Sequence, residues 1–274
     1  MESTSQNTTH KLDDITGSSA PTLYVVATPI GNLADITFRA VETLKQVHFI
    51  LAEDTRQTKK LLDHYNITTP LVSYRDQNHD KMLPKVLEKL NLGLNLALVS
   101  DNGTPLISDP GFKLVRALRR EGFNIEAIPG PSALTAALSI AGLPTDRFTF
   151  LGFLPKSEKK RREIFIKFSV EQNGGGESSF AQSSKTNAEG LSSQSLGPQH
   201  TLVMYESPHR VLKLLKLLND IYGDNADVAV LKDITKLHEE FFRGTPTQVL
   251  SALEATFAEG RPRGEFVVVL GARF

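Results

Sequence analysis

The chain of 274 residues contains no cysteine, which excludes disulfides, thiolate metal ligands and a cysteine nucleophile. Its 31 Lys and Arg are balanced by 31 Asp and Glu, so any attraction for a polyanion must come from local patches and not from net charge. Single cores stop growing near about 250 residues, so two packed units are expected of a chain that is 40% hydrophobic.

Residues 1–20 are polar and rich in Ser and Thr and lack the apolar run of a signal peptide, so they read as a disordered tail. No later apolar run approaches the roughly 20 residues needed to span a bilayer, and a cytoplasmic protein is expected. From residue 23 short apolar runs alternate with amphipathic stretches, the pattern of an α/β fold. A strand at 23–28 is followed by a helix at 37–47, which sets Phe38, Val41, Leu44 and Val47 on one face, and by a strand at 48–52. A helix at 55–65, a strand at 71–74, a helix at 82–90, a strand at 94–100, a helix at 111–121 and a strand at 125–128 continue the alternation. Pro129, Gly130 and Pro131 then open a small-residue helix at 132–141, closed by Gly142 as a C-cap. Residues 143–147 read as a linker, which puts an N-terminal α/β domain at 21–144 and a C-terminal one at 145–274. The second domain offers a strand at 148–154 and a basic helix start at Lys156, Lys159, Lys160, Arg161 and Arg162. Residues 171–199 are of low complexity, rich in Gly and Ser, and read as a flexible insertion. Strands at 201–205, 228–231 and 266–270 and helices at 208–218 and 247–258 complete the chain.

In open α/β sheets a ligand lies beyond the carboxyl ends of the strands, so the residues that follow each strand carry the information. Four such loops stand out. In the first, Pro29 and Gly31 set a tight turn where Gly31 lets a ligand approach the backbone, although an ordinary turn has the same composition. The second places Glu53, Asp54, Thr55 and Arg56 together. An acidic residue about 20 positions after a glycine turn suits a ribose hydroxyl, while the plain alternative is that Asp54 or Thr55 caps the next helix and Arg56 pairs with a carboxylate. The third, 100–111, packs Asp101, Gly103, Thr104, Pro105, Ser108 and Asp109 into one connection, more polar punctuation than a connection needs. Its backbone groups suit the ribose and amino-acid parts of a cofactor, and the alternative is a surface loop capped by Asp109. The fourth leads through Pro129 and Gly130 to Ser132 and Ala133 at a helix start, where free N–H groups favour polar cofactor atoms.

These four loops, in this order, resemble the tetrapyrrole-methylase superfamily, and specifically its ribosomal RNA branch. The segments 205–210 (Tyr-Glu-Ser-Pro-His-Arg) and 235–240 (Thr-Lys-Leu-His-Glu-Glu) also fit, so the likeness runs from Leu23 to Leu270. The chain departs from the pattern at Asn102, at Lys232, Asp233 and Ile234, and in the insertion. The resemblance implies two α/β domains with a cofactor cleft between them, the first sheet mainly parallel and the second mixed. It implies S-adenosylmethionine held mainly by backbone from the Pro29, Asp101 and Ser132 loops and by the strand around Met204, with no metal. The implied reaction methylates the ribose 2′-hydroxyl of a cytidine in small-subunit (16S) ribosomal RNA, in the cytoplasm, by a homodimer acting on RNA or the assembled subunit and not on DNA. Glu53, Arg56, Glu206, Lys236 and Glu239 become catalytic candidates as bases or cations, with Lys236 suited to a developing alkoxide. Arg56, Arg210 and the cluster Lys156, Lys159, Lys160, Arg161 and Arg162 suit RNA phosphates, although a run of charges at a helix start can equally be a solvated face. Two other readings remain: a corrinoid or sirohaem-pathway methylase acting on carbon, and an RNA-binding module of this fold without turnover.

Overall fold

The computed structural model describes residues 20–171, 196–198, 200–258 and 263–272. Apart from Ala20 and the paired ends noted below, the tail and the insertion expected from the sequence lie outside the described residues.

The first unit is a five-stranded sheet built from β1 (Thr22–Val26), β2 (Phe49–Ala52), β3 (Leu71–Ser73), β4 (Leu96–Val99) and β5 (Asn124–Ile128). Their order is β3-β2-β4-β1-β5, and every pair is parallel. Successive side chains point to opposite faces, and the apolar runs of these strands supply two faces at once. Ile50, Ala97 and Val99 pack under α1 (Phe38–Gln46) and α2 (Thr55–His64), whereas Leu51, Leu96 and Leu98 pack under α3 (His79–Asn91) and α4 (Phe112–Arg120). Each fully buried Leu of this kind contributes about 1.5–3 kcal/mol. Thr37 caps α1, its hydroxyl accepting the Ala40 N–H at 3.1 Å. Helix α3 starts at His79, three residues before the apolar periodicity begins, and the buried His79 Nδ1 lies 2.8 Å from the Tyr74 hydroxyl. Since all five strands run the same way, the chain leaves β1 to β5 at one edge of the sheet, and the candidate loops share that edge.

The second unit contains α5 (Ala133–Ala141), β6 (Phe148–Phe153), α6 (Glu158–Lys167), β7 (Ser169–Glu171), β8 (Leu196–Pro198), β9 (Thr201–Glu206), α7 (Val211–Tyr222), β10 (Ala226–Lys232), β11 (Glu240–Gly244), α8 (Pro246–Ala258) and β12 (Phe266–Ala272). Its main sheet has the order β11-β10-β12-β9-β6 and is mixed: β6 runs parallel to β9 and the other pairs are antiparallel. Val203, Ala229, Val267 and Val269 face α5. Leu202, Met204, Val230 and Val268 face α6, α7 and α8. Gly142 ends α5 in the left-handed conformation at φ 65, as a glycine C-cap should.

Because α5 packs on this sheet, the two compact units divide between Pro131 and Ser132, ahead of the 143–147 segment read as a linker; Ile30–Asn32 also groups with the second unit. Strand β11 was not expected. It is short, ends in Arg243 and Gly244, and lies at the sheet edge, where a charged strand carries little of the apolar alternation that reveals a central one. Strands β7 and β8 pair antiparallel, Glu171 opposite Leu196, so the ends of the insertion are held side by side.

Candidate active site

At the carboxyl edge of the first sheet, Thr28 and Gly103 exchange both backbone hydrogen bonds, at 2.8 and 3.0 Å. This bridge holds the 100–111 loop against the end of β1. The Thr104 hydroxyl donates to the Pro131 carbonyl at 3.1 Å, and a Cβ on Gly130 would stand 3.1 Å from the Cβ of Ala27. The turns around Gly103 and Gly130 therefore meet at β1. The loop itself is strained: Leu106 and Ser108 have φ of 72 and 64, alongside Gly103 at 79 and Gly111 at 128. Non-glycine residues held there cost about 1–3 kcal/mol each and concentrate at functional sites.

The acidic loop after β2 joins the same edge. The Asp54 N–H donates to Asp101 Oδ1 at 3.0 Å. Asp54 caps α2 through the Arg56 N–H at 2.9 Å and binds the Arg56 guanidinium through Nε and Nη2 at 3.1 and 2.9 Å. The plain reading of this pair is thus the observed one, and the hydrogen bonds from Arg56 lower the Asp54 pKa to about 2. Arg56 still extends into solvent, its side chain 86% exposed. Glu53, Asp54, Arg75, Gln77 and Asp101 line a concavity of about 410 Å³, within the usual range for small-molecule sites. Arg75 and Gln77 went unremarked in the sequence, yet they follow β3 as the other site residues follow their strands. Arg75 Nε donates to the Glu53 carbonyl at 2.9 Å.

Carboxylates crowd here. Burial, then the charge of Asp101, raises the Glu53 pKa against the opposing pull of Arg75. Burial, then Glu53, raises Asp109 to about 6, with Asp101 adding to the effect. Asp109 does not cap the following helix; the Gly111 N–H donates instead to Asp76 Oδ1 at 3.3 Å.

In the second unit the remaining candidates are tied down. Gly31 has protein on the side where a side chain would stand: a Cβ there would lie 3.0 Å from Thr235 Oγ1 and 3.1 Å from the Ile234 carbonyl. Lys236 Nζ pairs with Glu265 at 2.8 Å and Asp233 at 3.2 Å. Burial would lower its pKa, but the hydrogen bonds and charges of Glu265 and Asp233 outweigh it and raise the ammonium pKa. Glu239 Oε2 accepts the Thr235 N–H at 2.7 Å, pinning a loop in which Asp233 and Thr235 have φ of 52 and 67. Glu206 is fully buried, its Oε1 accepting from Arg210 and from the Ser207 N–H, both at 2.8 Å. Met204 points its side chain into the α6, α7 and α8 core, leaving only backbone for a ligand.

The basic helix start also divides. Lys156, Lys159 and Lys160 are exposed, and Arg162 reaches Asp220 at 3.5 Å. Arg161 is a correction: at 4% exposure it is buried, with Nε and Nη1 closed off from solvent, so a phosphate does not reach it. It occupies the helix position one turn before the core residue Phe165, which sets its side chain inward. Ser132 and Ala133 open α5 as expected.

Residues 22–250 match the family model of tetrapyrrole (corrin/porphyrin) methylases. The solved structure of cobalt precorrin-4 methyltransferase shares the fold with a TM-score of 0.60 at 16% identity, covering 91% of this chain and 94% of that one. Uroporphyrin-III C-methyltransferase from Thermus thermophilus gives 0.56 at 18% identity, over 90% of this chain and 93% of that one. Among curated proteins, ribosomal RNA small subunit methyltransferase I of Synechocystis sp. is 44% identical over 90% of this chain and 78% of its own length. The protein of the same name from Thermotoga maritima is 40% identical over 92% of this chain and 98% of its own length. By sequence and fold together, the chain belongs to the tetrapyrrole methylase family, in its branch of ribosomal RNA small subunit methyltransferases I.

Proposed function

We propose that the chain transfers a methyl group from S-adenosylmethionine to the ribose 2′-hydroxyl of a cytidine in small-subunit ribosomal RNA. The observation that carries this reading is the likeness, over nine-tenths of the chain, to relatives that bear the small-subunit methyltransferase name. The chemistry of the first unit's edge suits the cofactor. Backbone from the 100–111 loop, strained and with few bulky side chains, offers donors and acceptors for the ribose and amino-acid parts, and the carboxylates Glu53, Asp101 and Asp109 suit a sulfonium and an ammonium. Ser132 and Ala133 at the start of α5 and the backbone at Met204 complete the proposed set, together with Pro29, Thr104, Pro105 and Ser108. Gly31 belongs to the set through its backbone, since Ile234 and Thr235 fill the side where its Cβ would stand.

S-adenosylmethionine supplies the methyl electrophile when bound. The protein's part is to hold the ribose oxygen in line behind that carbon and to take its proton. Of the five catalytic candidates, Glu53 is assigned the proton, because burial and Asp101 make its carboxylate more basic than an ordinary glutamate. Lys236 stays an ammonium and serves as a cation, not a base. Glu239 and Glu206 act as braces for the Thr235 loop and for Arg210. Arg56 and the exposed lysines of α6 meet phosphates, with the enzyme acting in the cytoplasm as a homodimer. No described helix is long and apolar enough to cross a membrane.

Incubation with methyl-labelled cofactor and small-subunit RNA lacking the modification should put label in 2′-O-methylcytidine after nuclease digestion. Label in a porphyrinoid and none in RNA would overturn the reading in favour of macrocycle methylation.

A further inference from the structure

Strand β6 is the edge strand of the second sheet, and it carries an irregularity that changes which way one aromatic side chain points. Phe150 lies opposite Val203, yet Gly152 lies opposite Met204 and Phe153 opposite Tyr205, so Leu151 is an extra residue, and Gly152 takes φ 60. One inserted residue flips every later side chain to the other face. Without it, Phe153 would share the face of Leu151 and enter the core under α6, α7 and α8. With it, Phe153 joins the Phe150 and Tyr205 face, 5.6 Å from the Tyr205 ring centroid in an edge-on contact, and is 59% exposed. Leu154 returns to the core at 4% exposure. A lone exposed phenylalanine needs no explanation, but here a bulge and a left-handed glycine are used to keep a large ring out of a core that would bury it.

Three cations follow it. Lys156 stands three residues on, within about 10 Å even for an extended chain, and Lys159 and Lys160 open α6. All three are exposed, and none joins an ion pair among the described residues. An exposed ring followed along the chain by unpaired ammonium groups offers the two contacts that single-stranded nucleic acid uses, a face for a base and cations for the phosphates of neighbouring nucleotides.

We propose that Phe153, with Lys156, Lys159 and Lys160, forms a stacking platform for an unpaired base of the RNA substrate. This rests on the ribosomal RNA reading and adds to it the strand that holds the RNA. The test is binding of a fluorescein-labelled single-stranded RNA oligonucleotide, and of a blunt duplex RNA, to the full chain and its variants. Phe153→Ala should weaken single-strand binding roughly tenfold, the loss of one stacked base, and leave duplex affinity and the melting temperature unchanged; Phe153→Trp should restore it. Replacing the three lysines by alanine should reduce the salt dependence of log K by about 2, at about 0.7 per phosphate on a single strand, whereas Phe153→Ala should leave that slope alone. Single-strand affinity that survives Phe153→Ala, or a loss shared equally by duplex RNA, overturns the platform. Methyl transfer by the wild-type chain is read in parallel: turnover on RNA with an unaffected Phe153→Ala variant removes the platform and keeps the function, while RNA binding without turnover does the reverse.

Discussion

Two loops each hold a pair of non-glycine residues at positive φ: Leu106 and Ser108 in the loop 100–111 of the first unit, and Asp233 and Thr235 in the loop 233–240 of the second. They maintain the strain by different means. The second is locked by charge, with Lys236 between Asp233 and Glu265 and with Glu239 on the Thr235 N–H. The first is held by hydrogen bonds that involve no ion pair: the Thr28 and Gly103 backbone bridge, the Thr104 hydroxyl on the Pro131 carbonyl and the Gly111 N–H on Asp76 Oδ1. A loop braced by its own ion pairs has spent its charged side chains on itself, whereas one braced by a few hydrogen bonds leaves its remaining amides and carbonyls to a ligand. That difference suits the first loop, more than the second, to the proposed cofactor.

The contrast can be broken most forcefully at Gly111. At φ 128, with a Cβ position 2.8 Å from a Leu98 methyl and 3.2 Å from a Leu106 methyl, it has neither the conformational freedom nor the space for a side chain. Gly111→Ala should destabilise by about 3 kcal/mol in urea unfolding, and a change under about 1 kcal/mol would mean the loop is softer than its backbone suggests. A smaller effect is expected of Lys236→Ala, which leaves the mostly buried Asp233 without its cation. About 1–2 kcal/mol should be lost, and the loss should shrink in high salt, as a loop locked by charge requires; a salt-independent loss would point to packing instead.

The smallest effect is in pH. Asp109 has a folded pKa of about 6 against 3.8 for the free group, so between those values the native state holds a proton that the unfolded chain has released. Stability should therefore fall as pH rises from about 4 to 6 and level off above it. Asp109→Asn should flatten that slope and gain up to about 1 kcal/mol at pH 8, after discounting for partial solvent exposure. A slope unchanged by the substitution would place the titration elsewhere. Asp54 has the opposite sign: its stabilisation is present above 3.8 and disappears as pH falls through about 2.

Most of the architecture was legible because parallel strands buried on both faces read as continuous apolar runs, and the loops beyond them hold turn formers and polar groups. What escaped was set by contacts distant in sequence. The first turn of α3 carries the buried pair of Tyr74 and His79, which no apolar period reveals. Gly31 looked like a place for a ligand, and its neighbour proved to be Thr235, some 200 positions on. Arg161 stood in a run of six charged residues, Glu158 to Glu163, where only the helix phase relative to Phe165 separates a buried guanidinium from exposed ammonium groups. The bulge at Leu151 was hidden for the same reason: a register shift exists only relative to β9.

On the proposed function, the edge carrying Glu53, Asp101 and the 100–111 loop holds S-adenosylmethionine. Titration calorimetry of the full chain with S-adenosylhomocysteine, the demethylated product, tests it directly. Saturable heat at one site per chain, with affinity reduced tenfold or more by Asp101→Ala while the Lys236→Ala chain binds as the wild type does, is the predicted result. No heat from the wild-type chain, or affinity that survives the loss of Asp101, would contradict it.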